Sequence, residues 1–185
     1  MRIVAGTLGG RTLRAPRGHG TRPTPERVRE ALFSCLGPLE GARVLDLYAG
    51  TGALGLEALS RGAARAVFVE SANAALAALR ANVDELGVAG RALVLGRPVE
   101  RALAALEPEA PFDLVLADPP YELVRKGPAP RALAALAARG LLAPGARLVL
   151  EHASADEPPA LAPLMCYDRR RYGDTSLALY APPDP

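Results

Sequence analysis

Three carboxylates and one glycine-rich loop carry the chemistry that can be read from this chain. Residues 44–55, Val44-Leu45-Asp46-Leu47-Tyr48-Ala49-Gly50-Thr51-Gly52-Ala53-Leu54-Gly55, hold a G-x-G-x-x-G between an apolar run and a helix-like stretch. Glycines there permit a tight turn and let a ligand approach the backbone, and free N–H groups at a helix start favour an anionic group. Glu70 ends the next apolar run, 20 residues after Gly50, where a carboxylate can accept hydrogen bonds from ribose hydroxyls. The third carboxylate opens Asp118-Pro119-Pro120-Tyr121, directly after the apolar run Phe112-Asp113-Leu114-Val115-Leu116-Ala117.

That register admits a dinucleotide or S-adenosylmethionine. Asp46 favours the second, because a carboxylate is awkward beside a pyrophosphate but suits an amino group or a sulfonium neighbourhood. In the Asp-Pro-Pro-Tyr motif, Asp118 can accept through its side chain and Pro119 through its carbonyl, and prolines impose a fixed shape. Tyr121 offers a flat face for an unstacked base. Two acceptors gripping a conjugated NH2 favour a more pyramidal nitrogen, with its lone pair aimed at a methyl donor. The protein then supplies alignment at about 3–3.5 Å and stabilisation of developing charge. The bland alternative is a rigid strand exit with Asp118 capping a turn.

Such groups must be positioned by elements, and the chain past residue 43 alternates two kinds. Strand-like runs are expected at 44–48, 66–70, 92–96, 112–117 and 147–151, with helices at 53–60, 72–86, 99–106 and 130–139. Largely apolar strands alternating with helices predict a parallel sheet covered on both faces. Residues 165–172 and 175–180, joined by Gly173-Asp174, read as a terminal antiparallel hairpin. In such a sheet, ligands lie beyond the carboxyl ends of the strands where the strand order reverses, so the first and fourth strands should bring the two motifs together. Upstream, residues 3–5 and 11–14 are candidate short strands around Gly9-Gly10. Thr24-Pro25-Glu26 reads as a helix start, with Thr24 as N-cap and Pro25 in the first turn. Val28, Ala31, Leu32, Cys35 and Leu36 then form one apolar face, from which Arg27, Arg29 and Glu30 project away. The Pro-rich end, residues 182–185, is expected to fray.

The chain has 185 residues, half of them hydrophobic, and two cysteines. That suits one domain without disulfide staples, and no apolar run reaches the 18 residues of a membrane span. A cytoplasmic location is the default. His19 and His152 are too few for a metal site. Of the 22 basic residues only Lys126 is lysine, Asn73 and Asn82 are the sole asparagines, and glutamine is absent, a pattern fitting heat adaptation or a GC-rich genome. The net charge of +2 hides an asymmetry: residues 1–30 carry seven arginines against Glu26 and Glu30, while the rest is mildly acidic. This basic head is either a solvated tail or an arm that meets something anionic. Arg169-Arg170-Arg171 could add phosphate contacts or be merely solvated.

With these residues in view, the chain resembles a class I S-adenosylmethionine-dependent methyltransferase of the amino-methylating kind. Within that group it resembles the RsmD family, bacterial 16S ribosomal RNA guanine-N2 methyltransferases. The resemblance rests on the opening Met1-Arg2-Ile3-Val4-Ala5-Gly6 with Gly10-Arg11, on Arg22-Pro23-Thr24-Pro25-Glu26-Arg27-Val28-Arg29-Glu30-Ala31-Leu32-Phe33, and on residues 46–62. It implies an α/β Rossmann-like fold with a seven-stranded, mostly parallel sheet. A basic extension (1–36) would precede the methyltransferase domain (37–185). It implies that Asp46, Gly50, Gly52 and Gly55 line the methionine end of the cofactor, with Tyr48 and Ala49 beside them, and that Glu70 and Ser71 meet the ribose. Asp118, Pro119, Pro120 and Tyr121 would hold the guanine, and Arg11, Arg22, Thr24 and Arg27 would face RNA. Where an acidic residue is expected near adenine the chain has Arg97-Pro98-Val99, which are carried over as cofactor contacts through their backbone. The implied partner is 16S ribosomal RNA, free or in the small subunit, methylated by a monomer without a metal at the family's usual site, nucleotide 966. The rival acceptors are adenine N6 and a protein glutamine amide. Rivals from other classes are a nicotinamide-dependent oxidoreductase and a non-catalytic RNA-binding module.

Overall fold

A computed structural model of the protein describes residues 1–16 and 25–183. The first helix, α1, spans Glu26–Leu36. Five parallel strands follow: β1 (Arg43–Leu47), β2 (Arg65–Glu70), β3 (Ala92–Gly96), β4 (Phe112–Ala117) and β5 (Leu142–Ala153). The intervening helices are α2 (Ala53–Ser60), α3 (Asn73–Glu85), α4 (Val99–Leu106), α5 (Tyr121–Arg125) and α6 (Pro128–Ala138). The chain closes with the hairpin β6 (Met165–Tyr172) and β7 (Thr175–Ala181), and β7 pairs antiparallel to β5. The order β3-β2-β1-β4-β5-β7-β6 places the reversal between β1 and β4, as the α/β reading requires. Among the described residues, no helix is long and apolar enough to cross a membrane.

The two faces of the sheet are filled by alternating residues of the same strands. Val44, Phe68, Leu114, Leu116 and Val149 point into one buried cluster, and Leu45, Leu47, Val67, Val69, Val115 and Leu150 into the other. A period of two with both sets apolar gives the continuous runs seen in the sequence. The first cluster takes in α1, α2 and α3, the second α4 and α6. Asp46 belongs to the α2 side and is 1% exposed.

Several expectations shift. Strand β5 is much longer than residues 147–151, because its start also pairs with Phe112. Helix α5 went unread because two prolines precede it; Pro120 sits at its N-cap, where a missing N–H does no harm. Thr24, expected as the cap of α1, lies outside the described residues. Pro25 takes the N-cap position instead of the first turn, and its carbonyl accepts from the Val28 and Arg29 N–H groups. Arg29 does not project outward: it is 1% exposed and donates through Nη2 to the Arg2 carbonyl at 2.5 Å. Burial lowers its pKa, and the charges of Glu57 and Glu26 oppose that shift. Residues 3–5 and 11–14 form a hairpin-like turn with a single bridge, Arg2 to Thr12, rather than two strands.

Residues 1–16 are anchored rather than trailing in solvent. Ile3 and Leu13 enter the α2-side cluster together with Leu32, Phe33 and Leu36 of α1. Glu57, fully buried on α2, accepts the Val4 and Ala5 N–H groups at 2.7 and 3.0 Å, and Arg61 Nε at 2.7 Å. Arg61 in turn lies 5.0 Å over the Phe33 ring, a cation–π contact. Removing such a carboxylate strands two amides and a guanidinium. Glu57→Ala should therefore lower the free energy of unfolding by about 3 kcal/mol in urea titrations, whereas Glu57→Gln, which keeps one acceptor oxygen, should lose less.

Candidate functional site

At the carboxyl ends of β1, β2 and β4 the chain encloses a cavity of about 780 Å³, within the size range of small-molecule sites. The strand order accounts for its position, since the segments leaving β1 and β4 diverge to opposite faces and leave a crevice between them. Five carboxylates line it: Asp46, Glu70 and Asp118, at or next to the ends of their strands, together with Glu100 and Glu151.

The loop after β1 is held from below and from the side. Tyr48 (φ +57°), Gly50 (φ +57°) and Gly52 (φ +82°) all adopt left-handed backbone. That conformation is natural for glycine and costly for tyrosine. Glu70 Oε2 accepts the Gly50 N–H at 2.7 Å, while Oε1 accepts the Ser71 and Ala72 N–H groups, each at 2.7 Å. One side chain thus ties the loop to the start of α3. Asp46 Oδ2 accepts the Gly55 N–H at 2.8 Å, in the first turn of α2. Burial raises the Asp46 pKa well above the ordinary carboxylate range; the Gly55 bond opposes this, and the charges of Asp118 and Glu70 add to it. A positive group in the cavity would relieve that penalty.

Ala49, Gly50, Ser71, Arg97, Pro98 and Val99 line the cavity with these carboxylates, as do all four residues of the Asp-Pro-Pro-Tyr motif. Gly52 and Gly55, expected at the methionine end of the cofactor, face the core instead. A Cβ on Gly52 would sit 2.3 Å from Leu79, and one on Gly55 2.3 Å from the Phe68 ring. Their small size lets α2 pack on the sheet; only Gly50 of the three is open to the cavity. Arg11 lies away from the cavity on the end of α3, bonded to the Glu85 carbonyl at 3.0 Å. Arg27 is exposed on α1, and Arg22 lies with Thr24 outside the described residues. His19 does too, and His152 is buried in β5 with Nδ1 on the Ala153 carbonyl.

Four features escaped the sequence reading. Met1, Ala15, Pro16 and Pro25 form part of the cavity wall, so the N-terminal segment helps to build the site. Asn82, 1% exposed on α3, accepts the Arg14 N–H at 2.7 Å and donates to the Arg14 carbonyl at 3.2 Å and the Thr51 carbonyl at 3.0 Å. It clamps that segment to the glycine loop with both ends of its amide. The Tyr48 hydroxyl is buried with no hydrogen-bond partner among the described residues, and burial with the Glu100 charge nearby pushes its pKa up. Finally, Glu151 and Thr175 line the cavity beside Tyr121. The Tyr121 hydroxyl lies 2.6 Å from Thr175 Oγ1, which donates to Glu151 Oε1 at 3.3 Å. The Tyr121–Thr175–Glu151 grouping could not be inferred from spacing, because β5 and β7 meet α5 only in the folded chain. The rarity of asparagine in this amide-poor sequence was the single available signal for Asn82.

Such a fold and crevice define a Rossmann-like protein of the methyltransferase type. A sequence profile described as "Conserved hypothetical protein 95" matches residues 1–181. Ribosomal RNA small subunit methyltransferase D of Escherichia coli is 40% identical over 152 residues, 82% of this chain and 74% of that protein. A solved structure of a hypothetical protein from Thermus thermophilus is 35% identical, with a TM-score of 0.79 over 97% of this chain and 98% of its own. The fold extends to an RNA methyltransferase from Salinibacter ruber solved with S-adenosyl-L-homocysteine, 17% identical, TM-score 0.64, covering 88% of this chain and 95% of that one. The chain belongs to the Conserved hypothetical protein 95 family, together with these ribosomal RNA small subunit methyltransferase D relatives.

The buried Asp46 gives a prediction with a definite sign. Its pKa is raised in the folded state, so the ionised form opposes folding and stability falls as pH rises through the interval between the unfolded and folded values. Asp46→Asn retains an acceptor for the Gly55 N–H without the charge. Without ligand it should melt at a higher temperature than the wild type, by little near pH 4 and by more at pH 8, as read by differential scanning calorimetry.

Proposed function

We propose that this protein transfers a methyl group from S-adenosylmethionine to the exocyclic N2 amine of a guanine in small-subunit ribosomal RNA, at the family's usual site. The observation that carries the reading is the meeting of the Asp118-Pro119-Pro120-Tyr121 corner and the glycine loop on one cavity across the β1/β4 reversal. The RNA comes from the relatives, since the Escherichia coli protein is named for a ribosomal RNA methyltransferase.

The residues present fit the cofactor. The buried Asp46 carboxylate favours a cationic amino group, the two Glu70 oxygens can accept from ribose hydroxyls beside the amides they already hold, and the Tyr48 hydroxyl is buried without a partner among the described residues. When bound, the cofactor supplies a methyl group on a sulfonium, already an excellent leaving group. The chain's part is to hold the acceptor. Asp118 accepts one hydrogen of the amine and the Pro119 carbonyl the other, while Tyr121 stacks on the base and fixes its plane. As the N–C bond forms, positive charge grows on nitrogen. The Asp118 carboxylate stabilises it and takes up the departing proton through the bond it already holds.

Incubation with labelled S-adenosylmethionine and, separately, ribosomal RNA, duplex DNA and release factor tests the acceptor. Label should enter ribosomal RNA and digest to N2-methylguanosine; label in DNA or protein alone overturns the reading. Asp118→Ala should lower kcat by at least about 100-fold, with S-adenosylhomocysteine affinity within about threefold by calorimetry. Arg27→Ala should weaken RNA binding across sequences and reduce the salt dependence by about one phosphate contact. Unchanged binding in a filter assay would remove α1 from the RNA interface.

A further inference from the structure

Of the titratable groups in the cavity, the reaction as described leaves Glu151 without a task. Glu151 is 8% exposed, lines the cavity, and comes from β5, next to β4, whose end leads directly into Asp118. Ala117 of β4 stands opposite Leu150 of β5. Asp118, one residue past the end of β4, and Glu151, within β5, are therefore at the next step of the same parallel register, on strands that run about 5 Å apart.

Glu151 is also held. An ionised carboxylate only accepts, so the Thr175 hydroxyl gives its hydrogen to Glu151 Oε1, and the Tyr121 hydroxyl must then donate to Thr175 Oγ1. The hydrogen-bonded chain Tyr121–Thr175–Glu151 is directional. It joins the ring that would set the plane of a base to a carboxylate that could read its edge.

We propose that Glu151 is a specificity-determining residue that accepts the N1–H of the target guanine while Asp118 and Pro119 hold its N2 amine; this rests on the guanine reading above. Guanine presents two neighbouring donors on its Watson–Crick edge, N1–H and the N2 amine. Adenine presents an amine beside a bare N1, which is an acceptor. Two carboxylates side by side on adjacent strands, Asp118 just past β4 and Glu151 within β5, complement the first pattern. With adenine, the second carboxylate faces a lone pair inside a desolvated site, where two unmatched acceptors exclude the wrong base as strongly as the right contacts bind the correct one. Thr175 keeps Glu151 on that edge, and its bond to Tyr121 makes the stacking plane and the edge contact one unit.

The test uses the full-length protein and a synthetic RNA carrying the mapped target nucleotide as guanine or as 2-aminopurine, which keeps the 2-amino group but lacks N1–H. The wild type should prefer guanine by about 10–100-fold in kcat/KM, the range of one hydrogen bond to a charged group. In Glu151→Gln the amide can turn a donor toward a bare N1, and the preference should fall to within about threefold. Its melting temperature and S-adenosylhomocysteine affinity should stay near wild type. Where turnover is too slow, the same ratio is read from binding, using 2-aminopurine fluorescence and competition by the guanine RNA. A wild-type-sized preference in Glu151→Gln, with guanine still methylated, overturns the role of Glu151 alone. Absence of N2-methylguanosine from the wild-type reaction overturns the acceptor assignment, and this inference with it.

Discussion

The glycine loop after β1 has its shape because Glu70 holds it. Three backbone amides, from Gly50, Ser71 and Ala72, converge on this one carboxylate at 2.7 Å each. The loop thus closes onto the neighbouring strand's exit with its left-handed residues in place. Charge-assisted bonds of this kind are among the stronger hydrogen bonds in proteins. Gly50, on the cavity wall, is held in place by that closure, while Asp46 faces the α2 side through the alternation of β1. The carboxylate that builds the loop also lines the cavity, so the order of the loop and the shape of the cavity share one group.

A second layer of buried polar groups extends this order to the N-terminus. Glu57 fastens Val4 and Ala5 to α2, and Asn82 joins Arg14 to Thr51. Each satisfies backbone groups that would otherwise be buried unpaired, where the loss is far larger than the gain from one more surface bond. As a result, the basic N-terminal segment is fixed to the body, and its Met1, Ala15 and Pro16 form part of the cavity wall. Arginines that look like one cluster in the sequence separate in the fold: Arg29 serves the core, Arg11 caps the end of α3 through the Glu85 carbonyl, Arg14 pairs with the Glu85 carboxylate, and Arg27 remains on the surface.

Much of the architecture was legible before the fold. Alternating faces made from wholly apolar strands announce a covered parallel sheet, and a glycine loop followed by a strand-end acid locates its ligand crevice. Burial was harder to read. Arg29 looked solvent-facing because helical spacing marks a stripe but not its width, and two prolines masked α5. Gly52 and Gly55 illustrate a further ambiguity: a glycine can make room for a ligand or for a side chain, and here Leu79 and Phe68 take the space.

The sequence by itself determined the strand–helix alternation, the reversal between the first and fourth strands and the two motifs that meet there. These depend on periodicity and on short-range backbone chemistry, which are written along the chain. Only the tertiary structure decided that Asn82, Glu57, Thr175 and Glu151 belong to the site or its supports. The partners that tie them to other elements lie 24 to 68 residues away. A polar residue's role is set by which distant backbone or carboxylate shares its burial, and no local pattern records that.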